Sequence, residues 1–114
     1  MRLDLDLLDD EDPFEIDADN RPHLFKHAHY GTDDLLDIYA SEPIFLPAQP
    51  EGHADWIMVA EIPGEPPLAV PLAPPRSGDY RKARPIGIYP ATGNVLTEYH
   101  AALANDLDEG DVHV

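Results

Sequence analysis

Cysteine is absent from this 114-residue chain. That excludes disulfides, thiolate chemistry and cysteine-based zinc sites. Long hydrophobic runs are missing as well. No stretch reaches the roughly 18 consecutive apolar residues that mark a transmembrane helix. A basic, apolar leader is missing too: the amino terminus, MRLDLDLLDDEDPFEID, has one Arg followed by acids, unlike a secretory signal, and a cytoplasmic location is expected. Glycine-rich phosphate loops, nucleophile elbows and kinase signatures do not occur. Cations are scarce: seven Lys and Arg stand against 23 Asp and Glu, a net charge of −16.

The charge is unevenly spread. Residues 1–20 carry −8, residues 104–114 carry −4, and the long middle of 21–103 carries only −4. A near-neutral body with acidic ends is thus expected, rather than a uniformly acidic surface. The domain plan is an acidic arm at 1–12, one body at 13–104 and an acidic tail at 105–114. Acidic ends are either solvated or dock on a basic partner. At long range they repel phosphate backbones, which disfavours RNA. The apolar content of 43% and the chain length suit one modest core.

Residues 3–7 alternate Leu and Asp, so disorder or a loosely added edge strand is expected there. Phe14 to Asp17 alternates apolar and acidic residues, as a short half-buried strand does. A first helix is expected from Asp19 or Asn20, with Pro22 in its first turn and His23 and His27 on one side. Gly31 ends it. Thr32 reads as the N-cap of a second helix, with Leu35, Ile38 and Tyr39 as its buried stripe. Ile44 to Leu46 reads as a strand. Residues 56–62 and 67–73 read as a hairpin across Pro63-Gly64-Glu65-Pro66. Pro71 predicts an edge position or a bulge. Residues 84–90 read as a last strand, and 94–104 as a last helix behind Thr92. The order β-α-α-β-β-β-β-α predicts an α+β fold, with two N-terminal helices and a C-terminal helix packed on a small antiparallel sheet.

Phe14-Glu15-Ile16-Asp17, then Asn20-x-x-His23-Leu24-x-Lys26-His27, then Asp33-Asp34-Leu35-Leu36-Asp37-Ile38 follow one another in this order. The strands Asp55–Val59, Pro67–Val70 and Arg84–Ile88 continue it. Over about residues 14–103 the chain resembles the BrnT family of small ribonuclease toxins from bacterial type II toxin–antitoxin systems. The resemblance implies a RelE-like fold, a metal-independent endoribonuclease activity and a cognate antitoxin as partner. It differs from the family after Lys26-His27, where Ala28-His29-Tyr30 stands, and at Tyr89 to Asn94, which lacks the usual cations.

A ribonuclease of this kind activates a 2′-hydroxyl, stabilises a pentacoordinate phosphate and protonates a leaving oxygen. Histidine suits the first and last steps, and Lys or Arg the second. The candidate catalytic residues are Lys26, His27, Arg84 and His100. The candidates for phosphate or partner binding are His23, Arg81, Lys82 and Tyr99. Asp19, His23 and His27 are spaced i, i+4, i+8, and two such histidines can ligate zinc, but the Glu of a metalloprotease helix is missing. No metal, cofactor or membrane partner is expected, and a homodimer stays open. Two functions follow: a toxin-family ribonuclease, weakened or inactive, and a non-catalytic binding module whose acidic arms engage a basic protein.

Overall fold

A computed structural model describes residues 3–24, 30–49 and 52–112, with side chains through residue 105. Lys26, His27, Ala28 and His29 fall outside the described residues. The elements in chain order are α1 (Arg21–Leu24), α2 (Thr32–Ala40), β1 (Ile44–Pro47), β2 (Trp56–Ala60), β3 (Leu68–Ala73), β4 (Arg84–Pro85), β5 (Tyr89–Pro90) and α3 (Gly93–Val112). A single 3-10 turn, Leu5–Leu7, precedes them. The expected α+β architecture holds: three helices and one small antiparallel sheet. Among the described residues no helix is long and apolar enough to cross a membrane.

The period-2 pattern of the strands sorts their side chains onto two faces. Trp56, Met58, Ala60, Leu68, Val70 and Leu72 turn to one face, where they meet Leu24, Leu35 and Ile38 from α1 and α2. Ile57, Val59 and Ala69 turn to the other, where Tyr99, Val95, Leu96 and Leu103 of α3 cover them with Leu46. The sheet is therefore buried between helices on both sides, and its central strands read as nearly continuous apolar runs.

Local chemistry explains most of the boundaries. The β2–β3 hairpin closes through a type II turn. Pro63 sets the second position, Gly64 takes φ +82° at the third, and the Glu65 amide donates to the Ile62 carbonyl at 3.2 Å. The N-cap of α2 is Gly31 rather than Thr32. Gly31 has no side chain to offer, so the carboxylate of Asp34 reaches back and accepts from the Gly31 amide at 2.6 Å. The last helix runs past the expected end, to Val112.

Four expectations are corrected. Pro71 lies in a strand with neighbours on both sides, so of its two expected settings the edge is excluded and a bulge, in the neighbouring chain segment, is found. The expected last strand is split in two, and the split is what accommodates the proline. β4 pairs with Leu72 and Ala73, and β5 pairs with Leu68 and Ala69. Between them Ile86, Gly87 and Ile88 bulge past Val70 and Pro71. The Ile86 amide donates to the Pro71 carbonyl at 3.0 Å. A strand residue's N–H and C=O point the same way, so the donor that Pro71 lacks falls where the ladder is already broken. Phe14 to Asp17 is not a strand of the antiparallel sheet; Phe14 makes a single parallel bridge to Ala83.

The fourth correction concerns the acidic start. From Leu3 onward it is neither disordered nor a loose strand. Leu3 and Leu8 are buried in the main core cluster. The Leu3 amide donates to Asp55 Oδ2 at 2.7 Å, and Trp56 Nε1 donates to the Leu3 carbonyl at 2.9 Å. The alternation of Leu and Asp spreads its leucines between core and water, so the segment buries two of them while its acids stay solvated.

Glu42, just after α2, takes φ +53°. A non-glycine residue there costs roughly 1–2 kcal/mol. Glu42→Gly is expected to raise unfolding stability by about 1 kcal/mol in a urea titration, with no change in the slope of the transition.

Candidate functional site

The amino-terminal segment runs alongside the strand that leads into β4. The Ala83 amide donates to the Pro13 carbonyl at 2.7 Å, the Glu15 amide to the Ala83 carbonyl at 2.8 Å, and the Asp9 amide to the Arg81 carbonyl at 2.8 Å. This lays Glu15 and Asp17 against Arg84. Arg84 is only 7% exposed. Its Nη1 donates to Glu15 Oε1 at 3.2 Å and to Asp17 Oδ2, and its Nη2 donates to Asp17 Oδ1 at 3.0 Å. The bidentate pair suits a guanidinium far better than an ammonium.

Asn20 completes the clamp from the turn just before α1. Its Oδ1 accepts from the Asp17 amide at 2.7 Å, and its Nδ2 donates to the carbonyls of Glu15 at 2.9 Å and Pro85 at 3.0 Å. Asp17 in turn accepts from the Asp19 and Asn20 amides, which turns the chain into α1. The Arg84 guanidinium and these two amides hold the Asp17 carboxyl well below the usual carboxylate range. Glu15 is held below its usual range by Ser77, Arg76 and Arg84, although partial burial works against them. Arg84 itself is raised, first by Asp17.

A cleft of about 660 Å³ opens beside this clamp, lined by Asp19, Asn20, His23, His53, Ala73, Pro74, Arg76, Arg84 and Ile86. Arg76 Nη1 spans to Asp19 Oδ2 at 2.6 Å across its exposed side. Of the sequence-expected residues, His23 and Arg84 meet here. His100 does not line the cleft. It stands exposed on α3 beside Tyr99, ring centroids 5.7 Å apart. Tyr99 is a core residue, 5% exposed, and burial raises its phenol. Arg81 is engaged by Asp79 at 3.0 Å and Lys82 by Asp12 at 2.8 Å, and both cations are raised by these partners. Lys26 and His27 lie outside the described residues.

Asn20, His53 and Arg76 are polar cleft residues that the sequence reading left out of the site, and Asp19 entered it only as a possible metal ligand. His53 and Arg76 come from loops, where no periodicity points anywhere. Among the described residues no group of three or more acidic or histidine side chains could hold a metal ion. Comparison with protein-family models, with curated proteins and with solved structures gives no significant match for this chain. The site is therefore read from its own chemistry.

Two tests address the clamp. Asn20→Ala leaves buried carbonyls of Glu15 and Pro85 without a donor, and should cost about 2–3 kcal/mol in chemical denaturation. Asp17→Asn should destabilise at neutral pH. Because the folded carboxyl titrates below its ordinary value of 3.8, its contribution is complete above that value and disappears as pH falls through the lower folded value. The stability gap between wild type and Asp17→Asn should thus stay constant from pH 7 to about pH 5 and close only in stronger acid.

Proposed function

We propose that this chain is a non-catalytic binding module whose acidic surface engages a basic protein partner. The observation that carries the reading is the use of its cations. Arg76, Arg81, Lys82 and Arg84 each pair with a carboxylate of the chain's own. Lys82 and Arg84 are tied to the amino-terminal acidic segment itself, through Asp12, Glu15 and Asp17. These four cations are already matched, while Asp6, Asp10, Glu11, Asp33 and Asp37 stay exposed. A basic surface meets complementary charge there, and a nucleic acid meets repulsion. A cytoplasmic location belongs to the same proposal.

One observation favours the second reading. His23 and Arg84 line one cleft, and a toxin-family ribonuclease of RelE-like fold, neutralised by an antitoxin, would use a histidine and an arginine together at phosphate. Against it, Arg84 faces two carboxylates in place of a phosphate, and His100 stands apart from the cleft.

Fluorescence anisotropy with a labelled lysine-rich peptide and a single-stranded RNA of equal length separates the two. The binding-module reading expects peptide binding that weakens steeply between low and physiological salt, and at least about tenfold weaker binding when Asp6, Asp10, Asp33 and Asp37 are all changed to Asn. It expects the RNA neither bound nor cut. RNA cleavage that disappears in His23→Ala would establish the ribonuclease reading instead.

A further inference from the structure

Arg84 has more hydrogen-bonding capacity than its clamp uses. A guanidinium presents five N–H donors in a rigid planar fork. Nη1 spends both of its hydrogens, on Glu15 and Asp17, and Nη2 spends one, on Asp17. Asp17 takes one hydrogen from each terminal nitrogen, so it fills the end of the fork. The Nε–H and the second Nη2–H are left, and in the planar group these two run parallel along its side. The side chain is 8% exposed. Among the described residues no buried side-chain nitrogen or oxygen lacks a partner. Nε, which has no partner, is therefore not sealed from solvent, and the space that Arg84 lines is the 660 Å³ cleft.

We propose that this cleft binds a neutral planar ligand with two adjacent acceptors on one edge, of the 6-oxopurine kind, anchored on the free side of the Arg84 fork. Two parallel N–H donors match two adjacent acceptors, as an arginine matches O6 and N7 of guanine. Neutrality follows from the local charges. Arg84 already faces Glu15 and Asp17, and Arg76 faces Asp19. An anion would bring a fourth negative charge to two guanidinium groups, in a chain of net charge −16. The fork's charge is spent, but part of its geometry is not. Ala73, Pro74 and Ile86 supply an apolar wall, and the His23 and His53 rings supply flat surfaces for a planar ligand. A 6-aminopurine places an amino donor beside N7, which opposes one of the two N–H groups.

The test is NMR of the arginine Nε–H groups in the full chain, titrated separately with inosine, adenosine and acetate. The Arg84 signal is identified by its displacement in Asp17→Asn. Inosine is expected to shift it saturably and to bind at least about tenfold more tightly than adenosine. Acetate is expected to leave it in place. His53→Trp fills the cleft from an exposed loop position without touching the clamp, and should abolish the inosine response. Absence of an inosine shift, equal response to inosine and adenosine, saturable binding of acetate, or unchanged inosine binding in His53→Trp would each overturn the proposal.

Discussion

The fold rests on the attachment of its acidic amino-terminal segment to the strand at Ala83 and Arg84. Backbone hydrogen bonds from Asp9, Glu15 and Ala83 align the two. Arg84 then ties the segment down with charge, and Asn20 does so with amide hydrogen bonds to both sides. Removing Arg84 would leave the Glu15 and Asp17 carboxylates facing each other without their shared cation. The attachment also places Leu3 and Leu8 in the core, over the face that α2 packs on. Residues 3–12, in the most acidic part of the chain, are thus held by apolar burial and by a few well-placed cations together.

That arrangement links fold to function through charge. Each cation drawn into the body is one fewer at the surface, and the carboxylates outnumber their partners. The pairs on Arg81 and Arg76 are exposed and contribute little to stability. Their consequence is electrostatic: they offset the positive charge of Arg76 and Arg81. The exposed face is left to the unpaired acids of the first segment and of α2.

Much of the architecture was legible from local pattern. The alternation in Trp56 to Ala60, the Pro63-Gly64 turn and the stripe of Leu35 and Ile38 are short-range signals, and the structure follows them. The misses share a cause. Leu3 is held by contacts some fifty residues away at Asp55 and Trp56, and Leu8 joins the same core cluster. Arg84 finds its partners 67 and 69 positions upstream. The split of the last strand answers a proline in its neighbour. In the candidate site, His23 and Arg84 were visible as residue types, but their neighbours His53 and Arg76 sit on loops. The role of Arg84 depended on Glu15 and Asp17, which the sequence offers only as two more acids in an acidic stretch.

Native-state hydrogen exchange at the Glu15 and Ala83 amides, compared with those of Met58 and Val70 in the central strands, tests the attachment most directly. Protection of Glu15 and Ala83 within about 1 kcal/mol of the central strands is the expected result, because a segment that shares the core opens with it. Exchange of both amides at near-unfolded rates, with Met58 and Val70 still protected, would contradict it and return the acidic segment to the status of a loose arm.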